Sequence, residues 1–381
     1  MTVHRFSRVA VIVTAILVSG FLPARAEDPA KSKVLTPVLQ PFVESNSLAG
    51  AVVLVANKDK VLAVEAVGFA DVEKKTPMTT DSLFWIASQT KPITATALML
   101  LVDEGKVKIE DPVEKYIPEF KEIQFKGEKL KTPITIRQIL SHTSGLPFKS
   151  AEEAPTLDKL TIKECVASYV KTPLTSEPGT KYLYSNAGIN TAGRIIEVVS
   201  GLSYEDFLDK RLFGPLGMKD TTFWPSEEQV KRLAKVYKPS ADKKGLEVST
   251  IGALQYPLTD RKRQPMPGGG LFSTAADVAK FCQMLLNNGK VGDKQLLSEA
   301  SVKALTTKQT PDSLKDSYGL GFSVGGGGFG HGGALSTNMN IDTKHGLVTV
   351  WLVQHAGFPG DGGKASGAFR KVAEEKFSDA K

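Results

Sequence analysis

Cysteine is scarce: the chain of 381 residues holds only Cys165 and Cys282, too few for a disulfide-built scaffold. Each falls on an apolar helical stripe, one with Ile162, Val166 and Tyr169, the other with Val278, Phe281 and Leu285. They read as buried, inert thiols. Whether the two meet in a disulfide is not written in their spacing. Histidine is scarce too, and His142, His331, His345 and His355 show no zinc-like His-Glu-x-x-His spacing. No zinc site of that kind is therefore expected. No basic run is interleaved with aromatics, so no nucleic-acid partner is expected. There is no internal repeat, and the glycines at 325–328 lack the Lys-Ser/Thr of a phosphate loop; they read as a turn.

Long apolar runs are missing as well. The stretch 9–22 is apolar but short for a membrane span of about 20 residues. It follows a basic start of His4, Arg5 and Arg8 and precedes Ala24-Arg25-Ala26, an A-x-A cleavage site. Residues 1–26 read as a secretory signal, with a mature start at Glu27 and a periplasmic or secreted product. The competing reading is an uncleaved anchor; after cleavage no stable membrane span is expected. No cysteine stands near the junction to carry a lipid. Cleavage removes three arginines and no acid, so the net charge falls from +7 to +4. Such mild basicity fits a soluble surface.

What is present begins with Ser88-Gln89-Thr90-Lys91, which opens an uncharged stretch ending at Asp103. Residues three apart share a helix face, so the Ser88 hydroxyl and the Lys91 amine can address one spot. A serine hydroxyl is a poor nucleophile until a neighbour takes its proton. A lysine walled by apolar side chains can lose its own proton and become that neighbour. The helix is apolar on every side, which means full burial. Pro92 sits in its first turn, where the missing N–H costs least, and Gly105 is its stop.

Residues 50–56 and 61–69 read as strands around a turn. Capping boxes at Thr135-x-x-Gln138 and Thr161-x-x-Glu164 open two helices. Another helix is predicted over 186–200, ending at Gly201, and one more runs to Leu286 from a cap at Ser273 or Thr274. Strands return at 318–324, 329–331, 335–341 and 347–353. Phe369, Val372, Ala373 and Phe377 give a last helix its apolar face. Strands at both ends with helices between them predict an α+β fold: one antiparallel sheet closed by the two termini, with an inserted helical region. The expected division is a sheet domain of 27–105 and 266–381 and a helical domain of 106–265.

Two further segments carry candidate chemistry. Tyr184-Ser185-Asn186 precedes a helix. Tyr184 next to a cation can ionise more easily and relay a proton. Asn186 can hold the lysine and donate to a substrate carbonyl. The plain alternative is loop capping with Asn186 as N-cap. In His331-Gly332-Gly333-Ala334 the paired glycines allow close approach to the backbone. The Ala334 N–H would then form an oxyanion hole with the Ser88 N–H. The alternative is a bulge in an edge strand.

These pieces, in this order, resemble serine β-lactamases of the class C type and their relatives, the D-Ala-D-Ala peptidases and β-lactamase-fold esterases. Ser88-x-x-Lys91 matches the first motif and Tyr184-x-Asn186 the second. His331-Gly332-Gly333 stands at the third, usually Lys-Thr-Gly. Ile139-Leu-Ser-His-Thr-Ser-Gly-Leu146, Phe213-Gly-Pro-Leu-Gly-Met218 and Pro267-Gly-Gly-Gly-Leu-Phe-Ser-Thr274 look like further landmarks. The resemblance covers residues 35–353. It implies an acyl-enzyme on Ser88, a proton-shuttling pair of Lys91 and Tyr184, a positioning amide on Asn186, and oxyanion donors from Ser88 and Ala334. It implies no metal and no cofactor. The substrate would be a small ester, amide or peptide, with cell-wall peptides among the candidates.

The third motif departs from the pattern. Its lysine and the following hydroxyl, which help bind a substrate carboxylate, are absent. His331 could replace part of the charge when protonated, and Gly332 cannot replace the hydroxyl. The ranking is therefore esterase or amidase first, D-Ala-D-Ala-type peptidase second and β-lactamase third. A non-catalytic wall-binding protein on the same fold is the competing class. The α/β-hydrolase type is set aside: its Gly-x-Ser-x-Gly elbow is a strand-to-helix turn, and the one such match here, Gly321-Phe-Ser-Val-Gly325, runs into the glycine turn at 325–328 with no helix after it.

Overall fold

Seven antiparallel strands from the two ends of the chain meet in one sheet. This computed structural model describes Met1 and residues 33–378. The expected signal, its cleavage site and the start at Glu27 lie outside the described residues. The strands are β1 (Gly50–Ala56), β2 (Val61–Asp71), β3 (Thr76–Pro77), β4 (Ser323–Gly325), β5 (Gly328–Gly332), β6 (Asn338–Asp342) and β7 (Leu347–Leu352). Their order across the sheet is β4-β5-β6-β7-β1-β2-β3. The termini join where β1 pairs with β7, Val52 opposite Leu352 and Leu54 opposite Val350. The α+β architecture expected from the sequence is the one observed.

Strand β1 is buried at every residue, because both sheet faces are covered. Period-two alternation sends Val52, Leu54 and Ala56 into the large core, shared with Val348, Val350 and Leu352 of β7. Ala51, Val53 and Val55 face the other way, onto a smaller core with the helices α1 (Thr36–Glu44) and α5 (Ala365–Phe377). Helix α1 is tied to the sheet by charge. The buried Glu65 carboxylate on β2 accepts from the Val34, Leu35 and Thr36 amides at 2.9, 3.1 and 2.7 Å. An anion at a helix N-terminus, where the N–H groups lack partners, is well placed.

The large core continues into the helical region, through Ile139, Ile189, Ile195 and Phe207. It surrounds α2 (Thr90–Asp103), buried from Thr90 to Leu101 as its uninterrupted apolar character requires. Helix α3 (Asn186–Ser200) packs beside it and ends on the left-handed Gly201, φ 71°. Helix α4 (Ala275–Leu286) is capped by Thr274. Both capping boxes form, at Thr135 and Thr161.

Two local expectations shift. The strand placed at 318–324 shortens to β4, with only an isolated bridge between Tyr318 and Ser323 before it. Residues 335–337 form the turn entering β6 rather than its first residues. Cys165 and Cys282 are both buried and both free.

Candidate active site

Ser88 lies on a single 3₁₀ turn, Ala87–Gln89, that runs straight into α2. The turn starts in a costly conformation: Ala87 has φ 47°, in the left-handed region that a β-carbon disfavours. Its surroundings over-determine it. Phe84 and Trp85 pair with Phe272 and Ser273, and the Trp85 indole donates to the Gly269 carbonyl at 2.8 Å. The Ile86 N–H donates to Leu271 O at 3.0 Å. Thr90 Oγ1 donates to Ala87 O at 2.7 Å and accepts from the Leu271 N–H at 3.2 Å. The glycine-rich landmark 267–274 is thus the splint for the nucleophile turn.

One helical turn on, Lys91 is completely buried, whereas Ser88 is only partly so. Lys91 Nζ lies 3.1 Å from Ser88 Oγ, 2.6 Å from Asn186 Oδ1 and 2.5 Å from the Gly268 carbonyl oxygen. Burial pushes this amine down to about 7, because no carboxylate compensates the lost hydration. A neutral amine has two N–H groups and one lone pair. The two carbonyl acceptors take both N–H groups, and the lone pair is left for the Ser88 hydroxyl.

Tyr184 approaches from the other side. Its hydroxyl shares a hydrogen bond with Ser88, and its ring lies 4.7 Å from Lys91 Nζ. Burial raises the phenol above its ordinary range, and the Ser88 bond offsets only part of that. The easier ionisation expected beside a cation is not found, because burial dominates at this hydroxyl. Tyr184 is a proton donor in the resting site.

Asn186 is the first residue of α3, but it does not cap the helix. Ser185 does, its hydroxyl accepting from the Gly188 N–H at 3.0 Å. The Asn186 side chain is thereby free to face inward, with Oδ1 on Lys91 and no partner for Nδ2 among the described residues. The other Lys91 acceptor, Gly268, was not singled out from the sequence, although its landmark was. Its N–H is held by Asn190 Oδ1 at 2.9 Å, one turn after Asn186 on α3.

Strand β5 brings the third segment alongside. A Cβ on Gly333 would stand 2.5 Å from the Ile86 carbonyl oxygen, so only glycine allows this approach to the nucleophile turn. The strand pairing ends at Gly332 opposite Asn338. Beyond it, neither the Ala334 N–H nor the Ser88 N–H has a hydrogen-bond partner among the described residues. Gly332 and Ala334 are exposed. His331 behaves otherwise than a substituted cation would. Its Nδ1 lies 2.6 Å from its neighbour's carbonyl, Gly332 O, and must carry the proton; Nε2 then accepts from the Tyr318 hydroxyl at 2.9 Å. Burial pushes the imidazole down to about 3, with Lys91 adding to the effect. Both nitrogens are occupied and the ring is neutral, so no charge reaches a substrate from here.

Among the described residues no group of His, Cys, Asp and Glu could hold a metal ion, and no helix is long and apolar enough to cross a membrane. A putative D-alanyl-D-alanine carboxypeptidase of Escherichia coli is 29% identical over 317 residues, covering 74% of this chain and 71% of that protein. Among solved structures, EstCE1, a hydrolase with promiscuous acyltransferase activity, superposes with a TM-score of 0.78 at 24% identity, covering 90% of this chain and 97% of that one. The D-amino acid amidase of Ochrobactrum anthropi superposes with a TM-score of 0.70 at 24% identity, covering 90% and 98%. A family model described as Beta-lactamase matches residues 35–374, and the chain belongs to that family of hydrolases.

Proposed function

We propose that the protein is a serine hydrolase that cleaves small, uncharged esters or amides through an acyl-enzyme on Ser88. The observation that carries this reading is the buried Lys91 amine, 3.1 Å from Ser88 Oγ and held by two carbonyl oxygens. In the first step the neutral amine takes the Ser88 proton while Oγ bonds to the substrate carbonyl carbon. The carbonyl oxygen becomes an oxyanion facing the unpaired N–H groups of Ser88 and Ala334. When the tetrahedral adduct collapses, the bond to the leaving group breaks. Tyr184 gives that group its proton and is refilled from the Lys91 ammonium. Water repeats the sequence: its proton goes to the same pair, its oxygen attacks the acyl carbon, and Ser88 leaves with a proton restored.

The substrate preference follows from what surrounds the pair. The neutral, fully bonded His331 and the bare Gly332 offer nothing to a carboxylate. Phe148 is 48% exposed and stacks on the Tyr184 ring at 6.3 Å, which favours an apolar acyl or alcohol group. Esterase or amidase action therefore ranks first and D-Ala-D-Ala-type peptidase action second, the latter supported by the named carboxypeptidase relative. β-Lactamase activity ranks third.

The reading is tested by Ser88→Ala with a p-nitrophenyl ester. Turnover should vanish while the melting temperature stays near that of the unaltered protein; retained turnover removes Ser88 from the mechanism. Export is also part of the proposal, on the strength of the basic start, the apolar run and Ala24-Arg25-Ala26. N-terminal sequencing of the exported protein should begin at Glu27, and a chain that still carries residues 1–26 contradicts it.

A further inference from the structure

His142 lies in the landmark at 139–146 and takes no part in the proton transfers described above. It is completely buried. It follows the short helix Ile136–Leu140 and its end residue Ser141, with φ 59° in the left-handed region. Glycine or asparagine is the usual residue where a helix ends this way. Histidine needs a reason, the more so because its buried Nε2 has no partner among the described residues.

The reason lies in its contacts. The His142 carbonyl accepts from the Leu183 N–H at 2.8 Å. Its Nδ1 accepts from the Ser185 N–H at 3.2 Å. One residue thus grips the amides on both sides of Tyr184. The imidazole also packs against the Tyr184 ring at 4.5 Å between centroids, and against Tyr318 at 4.8 Å. An accepting Nδ1 places the ring proton on Nε2, the nitrogen without a partner among the described residues. The ring stays neutral, since burial lowers it well below its ordinary range.

We propose that His142 is a positioning residue for Tyr184: by holding the peptide groups of Leu183 and Ser185 it fixes the backbone from which the Tyr184 hydroxyl reaches Ser88. The inference rests on the serine hydrolase reading above. It assigns His142 no proton transfer and no substrate contact. Misplacing a proton donor by a fraction of an ångström slows the chemical step while leaving ground-state binding nearly intact.

The test compares variants that separate the side chain from the backbone strain. His142→Gly accepts the left-handed conformation without cost and loses the Nδ1 acceptor. His142→Asn also tolerates that conformation and carries an acceptor oxygen in a similar place. For p-nitrophenyl ester hydrolysis, His142→Gly should lower kcat about 100-fold with KM within a few-fold, on the scale of a lost general acid. His142→Asn should recover kcat to within about threefold. In a Tyr184→Phe background, which removes the hydroxyl, His142→Gly should cost less than about threefold more in the rate of Ser88 labelling by a fluorophosphonate. Equal losses in both backgrounds, wild-type kcat in His142→Gly, or a His142→Asn as slow as His142→Gly would each overturn the proposal. If His142→Gly does not fold, His142→Gln replaces it, because its acceptor sits one bond further out; a Gln variant as fast as the Asn variant overturns the proposal equally. Wild-type protein that neither turns over the ester nor labels at Ser88 would instead remove the hydrolase reading, which is a different result.

Discussion

Gly333 packs against Ile86 so closely that a methyl group on it would meet the Ile86 carbonyl oxygen at 2.5 Å and Thr337 Oγ1 at 2.1 Å. This contact sets the gap between strand β5 and the turn that carries Ser88. Gly333→Ala must open that gap, which parts the two N–H donors. The expected loss is about 10²–10³ in kcat for a p-nitrophenyl ester. Steady-state kinetics check it, and a wild-type kcat would show that the strand end takes no part in the chemistry.

Lys91→Met keeps the volume and removes the base. Acylation should slow by about 10²–10⁴-fold, with a much smaller change in substrate binding. Rapid mixing with a p-nitrophenyl ester reads this as loss of any initial release of p-nitrophenol faster than turnover. A burst like that of the unaltered protein contradicts the assignment of Lys91 as base.

The same lysine links stability to pH. In the unfolded chain its amine holds a proton up to the ordinary value of 10.5, and in the folded protein only up to about 7. Between these values the unfolded state binds more protons, so this group makes the fold more stable as pH rises through that window. Below about 7 both states are protonated and the dependence from Lys91 ends. The stability gained between pH 7.5 and 9 should therefore be larger in the unaltered protein than in Lys91→Met. Urea denaturation at the two pH values checks this, and equal gains would mean that the amine stays charged when buried.

Nitrocefin bears a carboxylate that the third segment cannot pair. Losing a buried charge partner costs about 2–5 kcal/mol. Its hydrolysis should accordingly run at least about 30-fold slower than that of an apolar p-nitrophenyl ester of comparable reactivity. Parallel kcat/KM measurements decide it; faster nitrocefin turnover would reverse the substrate ranking.

The sheet, the helix ends and the site residues differ in how plainly the sequence announced them. Strands β1, β2 and β7 were legible because valine-rich apolar runs there are bounded by turn residues. Gly201 and the Thr135 and Thr161 boxes were legible because capping is local chemistry. The pairing of Ser88 with Lys91 followed from helix spacing, although Ser88 itself sits on a 3₁₀ turn before the helix. The pairing of Lys91 with Gly268 was not legible, since main-chain carbonyls carry no sequence signal. The neutral state of His331 was equally hidden, because it depends on Tyr318, thirteen positions away in sequence and on a different strand pairing. His142 stood in view within its landmark, but its grip on the amides around Tyr184 is a long-range contact that only the folded backbone reveals.

The most direct measurement is the pH dependence of Ser88 acylation, followed by intact mass after brief exposure to a fluorophosphonate. With burial holding the Lys91 amine near 7, the labelling rate should rise through neutrality, reach half its plateau near pH 7 and stay level to pH 9. A rate that keeps climbing towards pH 10, or that does not change with pH, would mean that a neutral lysine is not what makes Ser88 reactive.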